Sequence, residues 1–234
     1  MKIALFGYGK MGKTVEKIAV DRGHEIVLKV EKNSKPYSLN DVDVAIDFST
    51  PDAAFENISN CLKYGIPVIS GTTGWLKDYD SIASLCKERD GAFIYASNFS
   101  LGVNIFFEIN RKLAAIMSNQ DQYKVKLEEV HHTEKLDAPS GTAISLAEGI
   151  ISESKYASWD LDSASTDDSI PIKALREKGV TGTHIVQYSS DMDRLSLHHE
   201  AFNRKGFAMG AVIAAEWLKG KTGIFSMRDV LNIG

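Results

Sequence analysis

Hydrophobic positions in the first hundred residues fall into short blocks separated by segments of helical period. KIALF (2–6) leads into GYGKMG and then into apolar residues at Val15, Ile18 and Ala19, the spacing of one helix face. Further β-branched blocks recur at HEIVLKV (24–30), DVDVAIDFS (41–49), IPVIS (66–70) and GAFIYAS (91–97). Pro51 suits the start of one intervening helix, and Gly65 suits its end. Apolar runs alternating with helices predict a parallel, doubly wound sheet of Rossmann type, in an α/β domain.

The pattern changes near residue 99. A helix is predicted over about 102–117, then an extended run YKVKLEEVHH, then a helix over about 140–152. The stretch 154–169 is polar and rich in Ser and Asp, and reads as a mobile loop. THIVQYSS and DRLSLHHEAF, joined at Asp191-Met192-Asp193, predict two antiparallel strands and hence a second, α+β domain built on a mixed sheet. The tail holds an apolar helix and a short closing one, expected to return to the first domain. The predicted division is 1–98 with 208–234, against 99–207.

Composition narrows the options. No apolar run approaches the roughly 18 to 20 residues that span a bilayer, so no membrane role is expected. A net charge of −4 argues against a general nucleic-acid binder. The opening MKIALFGYGK is too short in its apolar part for a secretory signal, and a cytoplasmic location is expected. Cys61 and Cys86 share no close spacing and read as small buried apolar residues.

Two clusters carry chemistry. Gly7-Tyr8-Gly9-Lys10-Met11-Gly12 fits GxGxxG between a strand and a helix, and Glu31 closes the next strand about twenty residues later. The first glycine permits the turn, the second lets backbone approach a pyrophosphate, and the third lets helix pack on strand. The helix amino terminus then offers N–H groups and a positive dipole end. A carboxylate on the ribose favours NAD, and a neighbouring cation accommodates a 2′-phosphate. Glu31 and Lys32 supply both, so NADH and NADPH are both expected as cofactors. The bland alternatives are a glycine turn in another α/β fold and a solvated Glu31.

The second cluster is EEVHHTEKLDAPSGTA (128–143). Adjacent histidines on a strand point to opposite faces, so both serve one site only where the backbone turns. His131, His132 and Lys135 concentrate donors in five residues, and 137–142 supplies a bend followed by a fresh helix amino terminus. Together they suggest a receptor for a small dianion, with one imidazole left to move a proton. Metal binding is not expected, because no cysteine or suitably spaced third ligand accompanies the pair. Inert strand histidines are the other alternative. His198-His199-Glu200 reads as part of the hairpin or of a subunit contact.

These motifs resemble those of the dihydrodipicolinate (4-hydroxy-tetrahydrodipicolinate) reductase family of lysine and diaminopimelate biosynthesis. GYGKMG resembles the family's amino-terminal loop, GTTG (71–74) its second cofactor loop, ASNFSLGVN its domain crossover, and EEVHHTEKLDAPSGTA its signature. HHEAFNRKGFAMGAVIAAEWL and MRDVL are similar to its ending, so the resemblance covers nearly the whole chain. It implies that His131 moves the proton, that Lys135 is the second catalytic group, and that His132 and Ser140-Gly141-Thr142 hold substrate carboxylates. It places the cofactor on residues 7–12, Glu31, Lys32, Gly71, Thr72, Thr73, Ala96, Ser97, Asn98 and Phe99. It also implies a small dianionic cyclic substrate and a homotetramer formed through the second domain. The short segment between Lys32 and Asp41, and a lysine where arginine is common, bear on cofactor preference alone. An aspartate or amino-acid dehydrogenase of like architecture, or a nucleotide-binding regulatory protein, are the competing readings.

Overall fold

The computed structural model describes residues 1–31, 34 and 37–233. In chain order they form β1 (Lys2–Phe6), α1 (Lys10–Asp21), β2 (Glu25–Val30), β3 (Val44–Asp47), α2 (Pro51–Lys63), β4 (Val68–Ser70), α3 (Tyr79–Glu88) and β5 (Ala92–Tyr95). There follow α4 (Leu101–Met117), β6 (Lys124–His131), α5 (Gly141–Ile151), β7 (Ser158–Leu161), β8 (Ser169–Arg176), β9 (Gly182–Ser189) and β10 (Arg194–Ala201). The chain closes with α6 (Lys205–Leu218), β11 (Gly223–Phe225) and α7 (Met227–Leu231). Two compact units result, Met1–Leu101 with Arg204–Gly234, and Gly102–Asn203.

The first unit is a six-stranded parallel sheet in the order β11-β5-β4-β3-β1-β2. Alternation along each strand sends side chains to both faces. Ile3, Leu5, Val44, Ile46 and Ile94 share one core with Val15 and Ile18 of α1 and with Ala208, Ala211 and Ala215 of α6. Ala4, Phe6, Ala45, Val68 and Phe93 share the other with Ile58 and Leu62 of α2 and Ile82 of α3. Helices on both faces explain why these strands read as unbroken apolar runs. Cys61 and Cys86 are free and buried in the second of these cores, and burial pushes the Cys61 thiol pKa up. One strand of this sheet was not anticipated: β11, only three residues long, pairs with Ala92–Ile94 of β5 and extends the sheet. A run of three that begins at glycine carries no period of its own.

The second unit is a mixed sheet in the order β10-β9-β6-β8-β7. The hairpin β9–β10 and the pair β6–β9 are antiparallel, whereas β6–β8 and β8–β7 are parallel. Val125 and Leu127 of β6, Ile172 of β8 and Val186 of β9 pack on Phe106 of α4 and on Ala143, Leu146, Ala147 and Ile150 of α5. The expected mobile loop over 154–169 is a correction, because it contains strand β7. Its polar residues tie the segment together: Asp160 accepts hydrogen bonds from Ser165 N and Oγ (2.7 and 2.6 Å) and from Ser169 Oγ (2.6 Å). An edge strand with one solvated side shows little hydrophobic signal. Strand β8 was likewise not anticipated.

Candidate active site

The order of the parallel sheet reverses between β1 and β3, and ligands of such folds bind beyond the carboxyl ends of strands at that point. The turn after β1 needs glycine. Gly7 has φ +87°, and a Cβ there would lie 2.0 Å from the Phe48 carbonyl oxygen. A Cβ on Gly12 would lie 2.2 Å from Gly7 O, so α1 can sit against the turn only without one. Gly9 caps α1 without any side-chain hydrogen bond, and no atom lies within 4 Å of its Cβ direction. A helix start with no side-chain cap and room beside its N-cap suits the pyrophosphate of a dinucleotide.

Beside this turn lies a cavity of about 330 Å³. Of the expected cofactor residues, Met11, Gly71, Thr72, Thr73, Ser97, Asn98 and Phe99 line it. Phe48, Ser49 and Phe207 line it too and were missed. Others point elsewhere. The Tyr8 hydroxyl donates to Glu16, and Lys29 Nζ stands 4.5 Å over the Tyr8 ring, so this side chain folds back on α1 and β2. Ala96 packs into the core, Lys10 is exposed, and Glu31 is exposed just past β2. Lys32 lies outside the described residues. A larger cavity, about 510 Å³ and lined by Trp217, Phe225 and Arg228 among others, holds none of the expected site residues.

Behind the cavity wall sits Asp47, fully buried at the end of β3. It accepts hydrogen bonds from Ser49 Oγ (2.6 Å), Thr72 Oγ1 (2.7 Å), Ser70 Oγ (2.8 Å) and Asn57 Nδ2 (3.2 Å). Burial pushes its pKa up, against the pull of these four donors. Thr72 Oγ1 in turn accepts from Ser49 N at 2.9 Å. One carboxylate therefore fixes the loops after both β3 and β4. An acid ending an all-apolar strand was the available sequence signal.

In the second unit, Val125, Leu127, Glu129 and His131 share the buried face of β6. The strand ends at His131, and a turn follows in which Lys135 N donates to His132 O at 3.1 Å. The backbone thus bends where the two histidines required it to. His131 is 8% exposed; its ring packs edge-on against His184, with centroids 5.0 Å apart. Lys135 pairs with Asp137 at 2.8 Å. The Ala138–Pro139 bond is cis. Ser140 then caps α5, its Oγ accepting from Ala143 N (3.2 Å) and meeting His184 Nε2 (3.2 Å). Expected as a substrate contact, Ser140 is 2% exposed and turned inward. Gly141 stands over open space at the first turn.

Burial, with His184 next in effect, pulls the His131 pKa down to about 4, so in the free protein its ring is neutral at pH 7. A protonated His131 therefore needs a bound anion. Glu129 moves the same way for another reason: burial opposes its ionisation, but His184, Ser140 and His131 outweigh that, and its pKa falls to about 2. Glu129, Arg176 and His184 were all missed. Glu129 had a signal, a charge on the apolar face of an alternating strand. Arg176 and His184 come from β8 and β9, too far along the chain for any spacing to reveal. Glu129, His131 and His184 present ligand-type atoms within 4.8 Å of one another, so spacing along the chain was a poor ground for excluding a cation. The cation present is the Arg176 guanidinium, 3.3 Å from Glu129 Oε1.

A Rossmann-type sheet with an uncapped glycine turn, and a separate unit carrying imidazoles beside an anion-seeking helix terminus, define a pyridine-nucleotide-dependent oxidoreductase. Family models described as dihydrodipicolinate reductase, N-terminus and C-terminus, match residues 1–99 and 102–231. The chain belongs to the dihydrodipicolinate reductase family, and with it to the oxidoreductases of lysine and diaminopimelate biosynthesis. It is 57% identical to the 4-hydroxy-tetrahydrodipicolinate reductase of Christiangramia forsetii, over 99% of this chain and 98% of that one. The Lawsonia intracellularis protein of the same name is 31% identical over 98% of each. Among solved structures, a dipicolinate-bound dihydrodipicolinate reductase from Paenisporosarcina sp. TG-14 shares the fold, with TM-score 0.81 at 24% identity over 97% of each chain.

Proposed function

We propose that the chain reduces 4-hydroxy-tetrahydrodipicolinate to tetrahydrodipicolinate with NADH or NADPH, and that the residues from His131 to Thr142 hold and protonate the substrate. The 4-hydroxyl departs as water, C4 gains a hydride and the neighbouring carbon receives a proton, so each turnover consumes one hydride and one proton. The bound nicotinamide supplies the hydride. Residues 7–12, Gly71–Thr73 and 97–99 of the first unit would hold it, with Glu31 and Lys32 toward the adenine ribose.

What carries this reading is the grouping at the end of β6: a buried neutral imidazole, an ammonium two residues from its carboxylate partner, and the start of α5 in one short turn. A ring with two carboxylates brings the further negative charge that would draw a proton onto this imidazole. His132 and the Gly141-Thr142 amides would take one carboxylate, and Lys135 would exchange Asp137 for the other. As charge arrives, protonation of His131 becomes favourable, and the ring becomes the acid for the carbon next to C4. General acid catalysis of this kind is worth roughly 10²–10⁴ in rate.

We further propose a cytoplasmic homotetramer assembled through the second unit's sheet, whose edge strand β10 leaves Leu195 exposed. Among the described residues no helix is long and apolar enough to cross a membrane. Sedimentation of the purified chain tests the assembly. The activity is tested by following absorbance of NADH or NADPH with enzymatically generated cyclic substrate. Turnover with both cofactors is expected. Turnover of linear amino acids or oxoacids instead would overturn the reading, and a preference above about a hundredfold for NADPH would overturn the role given to Glu31.

A further inference from the structure

Glu129 is fully buried, yet four groups from four segments converge on its carboxylate. Ser140 N lies 3.1 Å from both oxygens. Both terminal nitrogens of Arg176 lie 3.3 Å from Oε1. Oε2 stands 3.5 Å from His131 Nδ1 and 3.6 Å from His184 Nε2. Arg176 continues outward, donating from Nε to Lys135 O at 3.2 Å and from Nη2 to Asp137 O at 2.5 Å. The imidazole, the turn that carries Lys135 and the amino terminus of α5 all hang on this one ion pair.

We propose that Glu129 is a positioning residue for the reduction: in the working site its Oε2 takes the Nδ1–H of His131 and leaves Nε2 as the nitrogen that gives the proton, while Arg176 holds the Lys135 turn. The inference rests on the function proposed above. Glu129 reaches no surface, so it acts through His131 and does not touch substrate. The geometry before binding is that of a bond not yet made. At 3.5 Å His131 Nδ1 is short of a hydrogen bond, and that atom is buried with no hydrogen-bond partner among the described residues. Such contacts in free enzymes tighten in the complex. A carboxylate behind a histidine fixes its tautomer and orientation, the same service that second partners give in metal and hydrolase sites.

A buried ion pair also serves stability alone, and the two roles are separable. The charged and titratable groups facing His131 are Glu129, His184, Arg176 and Lys135. In the full chain, Glu129→Gln keeps the shape and one acceptor but removes the charge. Expected are a kcat lowered about ten- to a hundredfold, NADPH affinity within about twofold by fluorescence titration, and a fall of about one unit in the alkaline-side apparent pKa of the kcat profile. Glu129→Asp should recover part of kcat. An unchanged kcat and pH profile with only a lowered melting temperature would overturn the proposal. Should neither variant fold, the wild-type protein with dipicolinate still decides: a slowly exchanging His131 Nδ1–H proton signal is expected, and its absence would overturn the proposal. A wild-type chain that fails to reduce the cyclic substrate removes the functional reading and this inference together. Full activity in the wild type with an unaltered Glu129→Gln profile removes this inference alone.

Discussion

Removing the Asp47 carboxylate should damage cofactor binding although Asp47 is not among the residues that line the cavity. In Asp47→Ala four donors lose their acceptor. Asn57 Nδ2 still has Ser49 Oγ at 3.1 Å, and Ser49 is near enough to the surface to find water. Ser70 and Thr72, 0% and 5% exposed, have far less access to it. Leaving a buried donor unpaired costs about 1–3 kcal/mol. Two of them, less the relief of no longer burying a charge, give a loss of about 3 kcal/mol, or roughly 10 °C in melting temperature for a chain of this size. Thr72 also holds Ser49 N, so the loops after β3 and β4 both lose their anchor. Displacement of positioning groups by about 1 Å costs on the order of a hundredfold. We therefore expect the NADH dissociation constant, read by fluorescence, to rise ten- to a hundredfold by this estimate, while dipicolinate binding to the second unit changes little. Asp47→Asn, which keeps one acceptor, should lose about half as much stability. Unchanged NADH affinity in a folded Asp47→Ala protein would refute the reasoning.

Gly182→Ala places a Cβ 3.1 Å from His131 Nε2, so the ring must shift; kcat should fall about tenfold with NADH affinity unchanged, and steady-state kinetics with a binding titration checks both. Ser140→Ala removes the cap of α5 and should cost about 1 kcal/mol in urea unfolding, together with a raised KM for the cyclic substrate. Stability should also fall in acid. The folded His131 pKa lies below its unfolded value, so the unfolded chain alone takes up that proton between about 6.5 and 4, and stability is lost as pH falls through this window by on the order of 3 kcal/mol. Glu129, also depressed in the fold, continues the loss from 4.5 toward 2. Urea midpoints from pH 7.5 to 4 should show a shallower slope for His131→Gln, and an equal slope would contradict the neutral buried ring.

The parallel sheet was legible because strands buried on both faces carry their signature locally, and the glycine turn because φ +87° and a 2.0 Å approach admit no other residue. The grouping at the end of β6 was legible because its imidazoles, ammonium and helix start lie within a dozen residues. Strands β7 and β11 were not, since an edge strand and a three-residue strand owe their state to their neighbours. Nor were the partners that set the chemistry. Arg176 and His184 meet Glu129 only through strand pairing, where Glu129 lies opposite His184 in the β6–β9 register. The neutral state of His131 before an anion binds was out of reach for the same reason, because burial is a property of the packed sheet.

The most direct measurement is proton uptake on dipicolinate binding at pH 7, obtained by calorimetry in buffers of different ionisation enthalpy. The wild-type chain should take up close to one proton as the dianion charges the buried His131 ring, and His131→Gln should take up almost none. Equal uptake in the two proteins, or none in either, would mean that this imidazole is not the group that answers the substrate's charge.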